Sequence, residues 1–226
     1  MARCTPAQSA LTRSRLLEAA ISEFAQEGVL ASTLAGIASR ARLTRGAVYW
    51  HFADKADLID VVFSHLRWPL DVGCELNAYR LHPHPLHLLR EQLLSRVNDC
   101  MDDPLQWQVL QLALHHGNGE LPAPTLRYLE KLQATAVSRL GWVLEIVKMR
   151  SFVSQQVVPA AAAQCLHAAG VGVLFQHAGE MERGNGAALI LALDLLMAGL
   201  AAQQQAAGEP SQLKPCLNDG AGPFYS

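Results

Sequence analysis

The chain has 226 residues, half of them apolar, and a formal net charge of −2, which suits one large core or a small domain joined to a larger one, globular and soluble. A slightly acidic total argues against a nucleic-acid partner only until the charges are located: residues 1–67 carry eight Lys and Arg against six Asp and Glu, and residues 68–226 carry ten against fourteen. Cys4, Cys74, Cys100, Cys165 and Cys216 form no CxxC pair and are odd in number, and no apolar stretch follows Met1. A disulfide framework and a secretion leader are therefore not expected, and a cytoplasmic chain with reduced thiols is.

A first helix is predicted over residues 12–27, with Leu16, Ala20 and Phe24 on one stripe, Leu17 and Ile21 beside it, and Gly28 as its cap. Residues 33–52, TLAGIASRARLTRGAVYWHF, read as a helix-turn-helix. Leu34, Ile37, Ala38 and Ala41 recur at helical spacing, Leu43 falls in the turn, and Val48 sits inside a second short helix that Thr44 caps. Small Ala38 lets the two backbones approach. Asp54 and Asp57 form an acidic capping pair for a fourth helix with Leu58, Val61, Val62 and Leu66, expected to run on to about Trp68 as a connector.

Two prolines make RLHPHPLH, residues 80–87, a linker, with Pro85 opening a helix whose apolar face is Leu86, Leu89, Leu93, Leu94 and Val97. Further helices are expected over 104–116 and, after GNGELPAP, over 125–149. From 159 to 202 two helices rich in Ala, Gly and Leu follow; Asp194 in the middle of the run 186–202 favours a buried helix over a membrane span. Their small residues suit a four-helix homodimer seam over about 160–202, the alternative being a hairpin that completes one monomer's core. Residues 206–226 read as a disordered tail.

What faces outward on the second helix of the motif is Thr44, Arg45, Gly46, Tyr49, Trp50 and His51, with Lys55 just beyond. Arg45 can donate a bidentate pair to guanine, and Gly46 allows close backbone approach to a base edge. The rings of Tyr49, Trp50 and His51 carry donors suited to phosphate oxygens, and Lys55 adds a point charge. The alternative is a solvated helix pair of an ordinary helical domain. Between residues 30 and 55 the charges are Arg40, Arg42, Arg45 and Lys55 against Asp54 alone, so the local field is positive.

The stretch TRGAVYWHFADKADL resembles the recognition helix and following helix of the TetR family of transcriptional regulators, and YWHF after TRGA is similar to the AcrR-like subgroup that represses multidrug efflux operons. The resemblance spans residues 10–68. It implies an all-α fold: an N-terminal three-helix DNA-binding domain over 10–68 with its motif at 33–52, then a helical ligand-binding and dimerisation domain over 69–205. It further implies base contacts from Arg45 and Gly46, backbone contacts from Thr33, Tyr49, Trp50, His51 and Lys55, and a connector that transmits ligand binding. Two departures stand out: Arg42 occupies a bend where the family usually has Gly, at a cost of about 1 kcal/mol for a left-handed backbone, and Gly36 stands where the family tends to place an acid. Arg42 also offers the groove an extra charge.

As a sensor, the second domain should enclose an apolar cavity for a lipophilic or aromatic inducer, with Trp68, Met101, Trp107, Leu110, His115, Leu144, Phe152, Phe175 and Met181 as candidate liners. Trp107 and Phe175 lead this set because flat rings favour aromatic ligands. No cofactor is expected. His82, His84 and His87 invite a metal-responsive alternative, although alternating His and Pro imposes no helical ligand spacing. No GxSxG, HExxH, phosphate-binding or dinucleotide motif supports an enzyme. A TetR-like activator is as compatible with these residues as a repressor, and the inducer, operator and regulated genes are not encoded in any motif.

Overall fold

The computed structural model describes residues 5–116, 121–178 and 186–206. Within them lie ten helices: α1 (Pro6–Glu27), α2 (Leu34–Arg40), α3 (Arg45–His51), α4 (Lys55–Ser64), α5 (Leu76–Leu81), α6 (Pro85–Asp102), α7 (Pro104–His116), α8 (Ala123–Met149), α9 (Pro159–Ala178) and α10 (Gly186–Ala206). The all-α expectation holds.

Local chemistry sets most helix ends. Thr5 caps α1 through a reciprocal capping box with Gln8, and Pro6 opens the first turn without needing an N–H donor. α1 therefore starts at Pro6, six residues before the predicted start at Thr12. Gly28, at φ 79°, closes it with its N–H on the Phe24 carbonyl. Thr33, Thr44 and Asp54 cap α2, α3 and α4 by accepting from the N–H groups of Gly36, Ala47 and Asp57. Pro85 opens α6 as expected. The predicted 80–87 linker shrinks to residues 82–84, because α5 precedes it; a six-residue helix offers too few apolar repeats to show a period.

α1 packs on α2 and α4, and α2 packs on α3. Leu16, Ala20, Phe24, Ile37, Val48, Phe52, Leu58 and Val62 are all buried in this N-terminal bundle. α1 and α4 also rest on α7, and α4 on α8, so the apolar core continues into the larger helical part without a break. There α8 and α9 form the main pair, with α10 lying on α9 and α6.

The connector departs from expectation: α4 ends at Ser64, not near Trp68. Pro69 explains this, since its ring would strike the His65 carbonyl of a continued helix and it has no N–H to give that carbonyl. Of the other expected features, Met181 and the 206–226 tail, apart from the last residue of α10, lie outside the described residues, as do Cys4 and Cys216. Among the described residues no helix is long and apolar enough to cross a membrane.

Candidate nucleic-acid interface

The bend between α2 and α3 keeps the left-handed residue that Gly would normally supply. Arg42 adopts φ 56°, its N–H donates to the Ser39 carbonyl at 3.0 Å, and the Leu43 N–H donates to the Ala38 carbonyl at 2.9 Å. Arg15 of α1 braces the turn by donating to the Ala41 carbonyl at 2.8 Å. Val48, wholly buried, anchors α3 from below. With Thr44 capping its start, α3 is fixed by three contacts and turns its other side outward.

That side carries Arg45, Gly46, Tyr49 and Trp50, all exposed, with Thr33, Arg42 and Thr44 exposed alongside. Trp50 is 78% exposed and Tyr49 51%, a large cost for two aromatic rings unless a partner covers them. His51 is half-buried; desolvation first, then the Arg13 guanidinium, hold its imidazole pKa below the ordinary value. Arg13 also lies 5.5 Å over the Phe52 ring at the end of α3. No sequence motif singles out Arg13; its position beside α3 is a product of the fold.

Two basic residues of the expected positive field are already engaged. Arg40 pairs with Glu23 at 2.8 Å and also donates to Ser22 and Gln26 on α1. Lys55 donates through Nζ to the Leu30 carbonyl at 2.9 Å and the Ser32 carbonyl at 2.6 Å, tying the start of α4 to the α1–α2 loop, and desolvation lowers its pKa. The Glu23 carboxylate also accounts for Gly36, because a Cβ there would collide with Glu23 Oε1. The space beside α2 is filled by an acid arriving from α1.

The inducer candidates are dispersed. Trp68 is buried, donates Nε1 to His167 Nε2 at 2.9 Å and stacks on that ring at 5.8 Å. It lines a polar cavity of about 160 Å³ with Arg67, Pro69, Arg96, Asp99, Cys100 and Gln106. Leu110 and Leu144 are core, and Met101 and Trp107 are partly buried against it. His115 and Phe175, both exposed, stack with each other at 4.8 Å, and Phe152 lies under the Arg150 guanidinium at 5.0 Å. Among the histidines, His84 donates its N–H to His82 Nδ1 and His87 pairs with Glu91. Among the described residues no group of three His, Cys, Asp or Glu side chains is arranged to hold a metal.

A rigid turn presenting a short helix with an exposed Arg, Gly and two aromatic rings defines a helix-turn-helix DNA-binding regulator. Residues 16–62 match the family model described as bacterial regulatory proteins, tetR family. The transcriptional repressor BepR of Brucella suis is 32% identical over 167 residues, covering 73% of this chain and 79% of BepR. The transcriptional regulator AcrR of Shigella flexneri is 36% identical over 120 residues, covering 51% of this chain and 54% of AcrR. The structure of SmeT, the repressor of the Stenotrophomonas maltophilia multidrug efflux pump SmeDEF, is 26% identical with a TM-score of 0.65, covering 83% of this chain and 89% of SmeT. The chain belongs to the TetR family of transcriptional regulators, which are DNA-binding proteins and not enzymes.

Proposed function

We propose that the protein is a dimeric repressor of an efflux-pump operon, released from its operator by small lipophilic molecules. The observation that carries this reading is the outward face of α3, where Arg45 and two aromatic rings, Tyr49 and Trp50, are exposed on a helix anchored by its Thr44 cap and buried Val48. Arg45 and Gly46 read bases; Tyr49, Trp50, His51 and Arg42 hold phosphates. Thr33 and Thr44 use their oxygens as caps and keep hydroxyl hydrogens for the backbone. Lys55 contributes charge while bracing the loop beneath.

The efflux assignment is supported by likeness to SmeT, a pump repressor also solved in complex with triclosan, at 26% identity and a TM-score of 0.68. A homodimer is supported by α9 and α10, which leave Leu191 and Leu195 exposed, Leu195 lining an open apolar groove of about 440 Å³ with Val158, Ala162 and Leu200. Twofold pairing sets two α3 helices against successive major grooves, which needs a spacing of about 34 Å. A ligand that prefers another angle of the connector lowers operator affinity by its differential affinity for the two arrangements.

Fluorescence anisotropy with the DNA upstream of the gene tests the reading. Saturable binding by the dimer, reversed by triclosan or by other members of a dye, flavonoid and antibiotic panel, is expected. Tight binding that no member of the panel weakens would remove the inducer part, and indifference to the DNA would remove the regulator.

A further inference from the structure

The end of α4 lacks a hydrogen-bond donor that another helix supplies. Pro69 cannot serve the His65 carbonyl, and Gln106 Nε2 does so instead, at 2.6 Å. The same side-chain amide accepts the Arg67 N–H on Oε1 at 2.9 Å. Gln106 is only 6% exposed and stands in the first turn of α7, where its own N–H donates to Asp103 Oδ1 at 3.2 Å. Other polar contacts hold α4 and the segment after it: Arg67 pairs with Asp103 across 4.0 Å, Thr125 at the start of α8 donates to Asp60 at 2.5 Å, and Trp68 donates to His167 on α9. Those contacts grip side chains. Gln106 grips the main chain on both sides of Leu66 and so sets the path by which the chain leaves the N-terminal bundle.

The polar cavity beneath Gln106, about 160 Å³ and lined in part by Arg67, Arg96 and Asp99, gives its amide somewhere to go. Swinging into it would exchange two main-chain bonds for a polar surrounding, which would give the amide a second arrangement. We infer that Gln106 is the positioning residue through which the larger helical part sets the angle of the DNA-reading bundle, a latch closed on residues 65–67 or opened into the adjoining cavity. The inference deepens the proposed ligand release and rests on it only for its DNA arm.

The full chain carrying Gln106→Met or Gln106→Glu is compared with wild type by hydrogen exchange read by mass spectrometry and by affinity for the upstream DNA. Met removes both bonds at nearly constant volume, whereas ionised Glu still accepts from Arg67 but cannot donate to His65. Faster exchange confined to residues 64–68 is expected in both variants, larger for Met, with protection of α1 and α8 unchanged. DNA affinity should fall about tenfold for Met, within the usual range of couplings between sites. Protection lost evenly along the chain, or affinity unchanged although 64–68 opens, would overturn the inference. Should wild type itself ignore the DNA, the regulator reading fails, while the exchange pattern still decides whether the latch exists.

Discussion

Arg45 and Lys55 were read from the sequence as neighbouring cations, yet their surroundings differ. Arg45 is exposed on α3, whereas Lys55 spends its ammonium on the Leu30 and Ser32 carbonyls. Arg45→Ala should cost about 1 to 3 kcal/mol on the operator and little on random DNA, measured by competitive anisotropy. Equal losses on both would show that Arg45 only neutralises phosphate. Lys55→Ala should weaken operator and random DNA alike, with exchange at residues 29–33 accelerating because the loop loses its brace; an unchanged loop would contradict that bracing role. His167 adds a pH dependence. It accepts from Trp68, which requires the neutral ring, and burial lowers its pKa below the unfolded value. The unfolded state therefore binds more protons, so this contribution is complete above about pH 6.5 and is lost as pH falls through the depressed folded value. Melting temperature should drop on going from pH 7.5 to 5, and His167→Gln should flatten part of that drop.

Elements whose ends depend on their own residues were legible before the fold was known. Thr44 and Asp54 cap where expected, α7 covers Pro104–His116, and α8 begins two residues before the predicted Thr125. The true start of α1 was also within reach, since Thr5, Pro6 and Gln8 spell a capping box with proline in the first turn. Features that depend on two elements meeting were not legible. Gly36 stands in sequence only as a departure from the family's acid, and its reason is Glu23 of α1 filling the space beside it; Gln106 carries no sequence signal, because its partners lie on the chain leaving α4. The sensor candidates follow from residue type and a place in the central helices, and neither says whether a ring faces a cavity, a neighbour or solvent. Helix contact supplies a further test. Gly170 on α9 is buried, and a Cβ there would lie 2.7 Å from Cδ1 of Leu70, itself wholly buried. Gly170→Ala should therefore destabilise the chain by about 1 to 2 kcal/mol in urea denaturation, even though Ala is the better helix former. A stabilised variant would mean that Leu70 has room to yield.

At the scale of the molecule, one apolar core runs from the α3 anchor to α10, and polar bonds also cross between the DNA-reading bundle and the larger helical part. Asp60, residues 65–67 and Trp68 carry those bonds. Charge follows the same division: residues 1–67 are net positive and the remainder net negative, a balance that favours contact with the duplex through the N-terminal part. Leu195 on α10 is 65% exposed, and Leu195→Glu should give a monomer by analytical ultracentrifugation with helicity intact and operator binding sharply reduced. A dimer that survives the substitution would place the seam elsewhere. The central claim is that the outer face of α3 touches DNA, and hydroxyl-radical footprinting of the upstream DNA tests it most directly. Wild type should protect two stretches about 10 base pairs apart on one side of the duplex, and the folded double variant Arg45→Ala, Trp50→Ala should lose both; the same protection by the double variant would contradict the account.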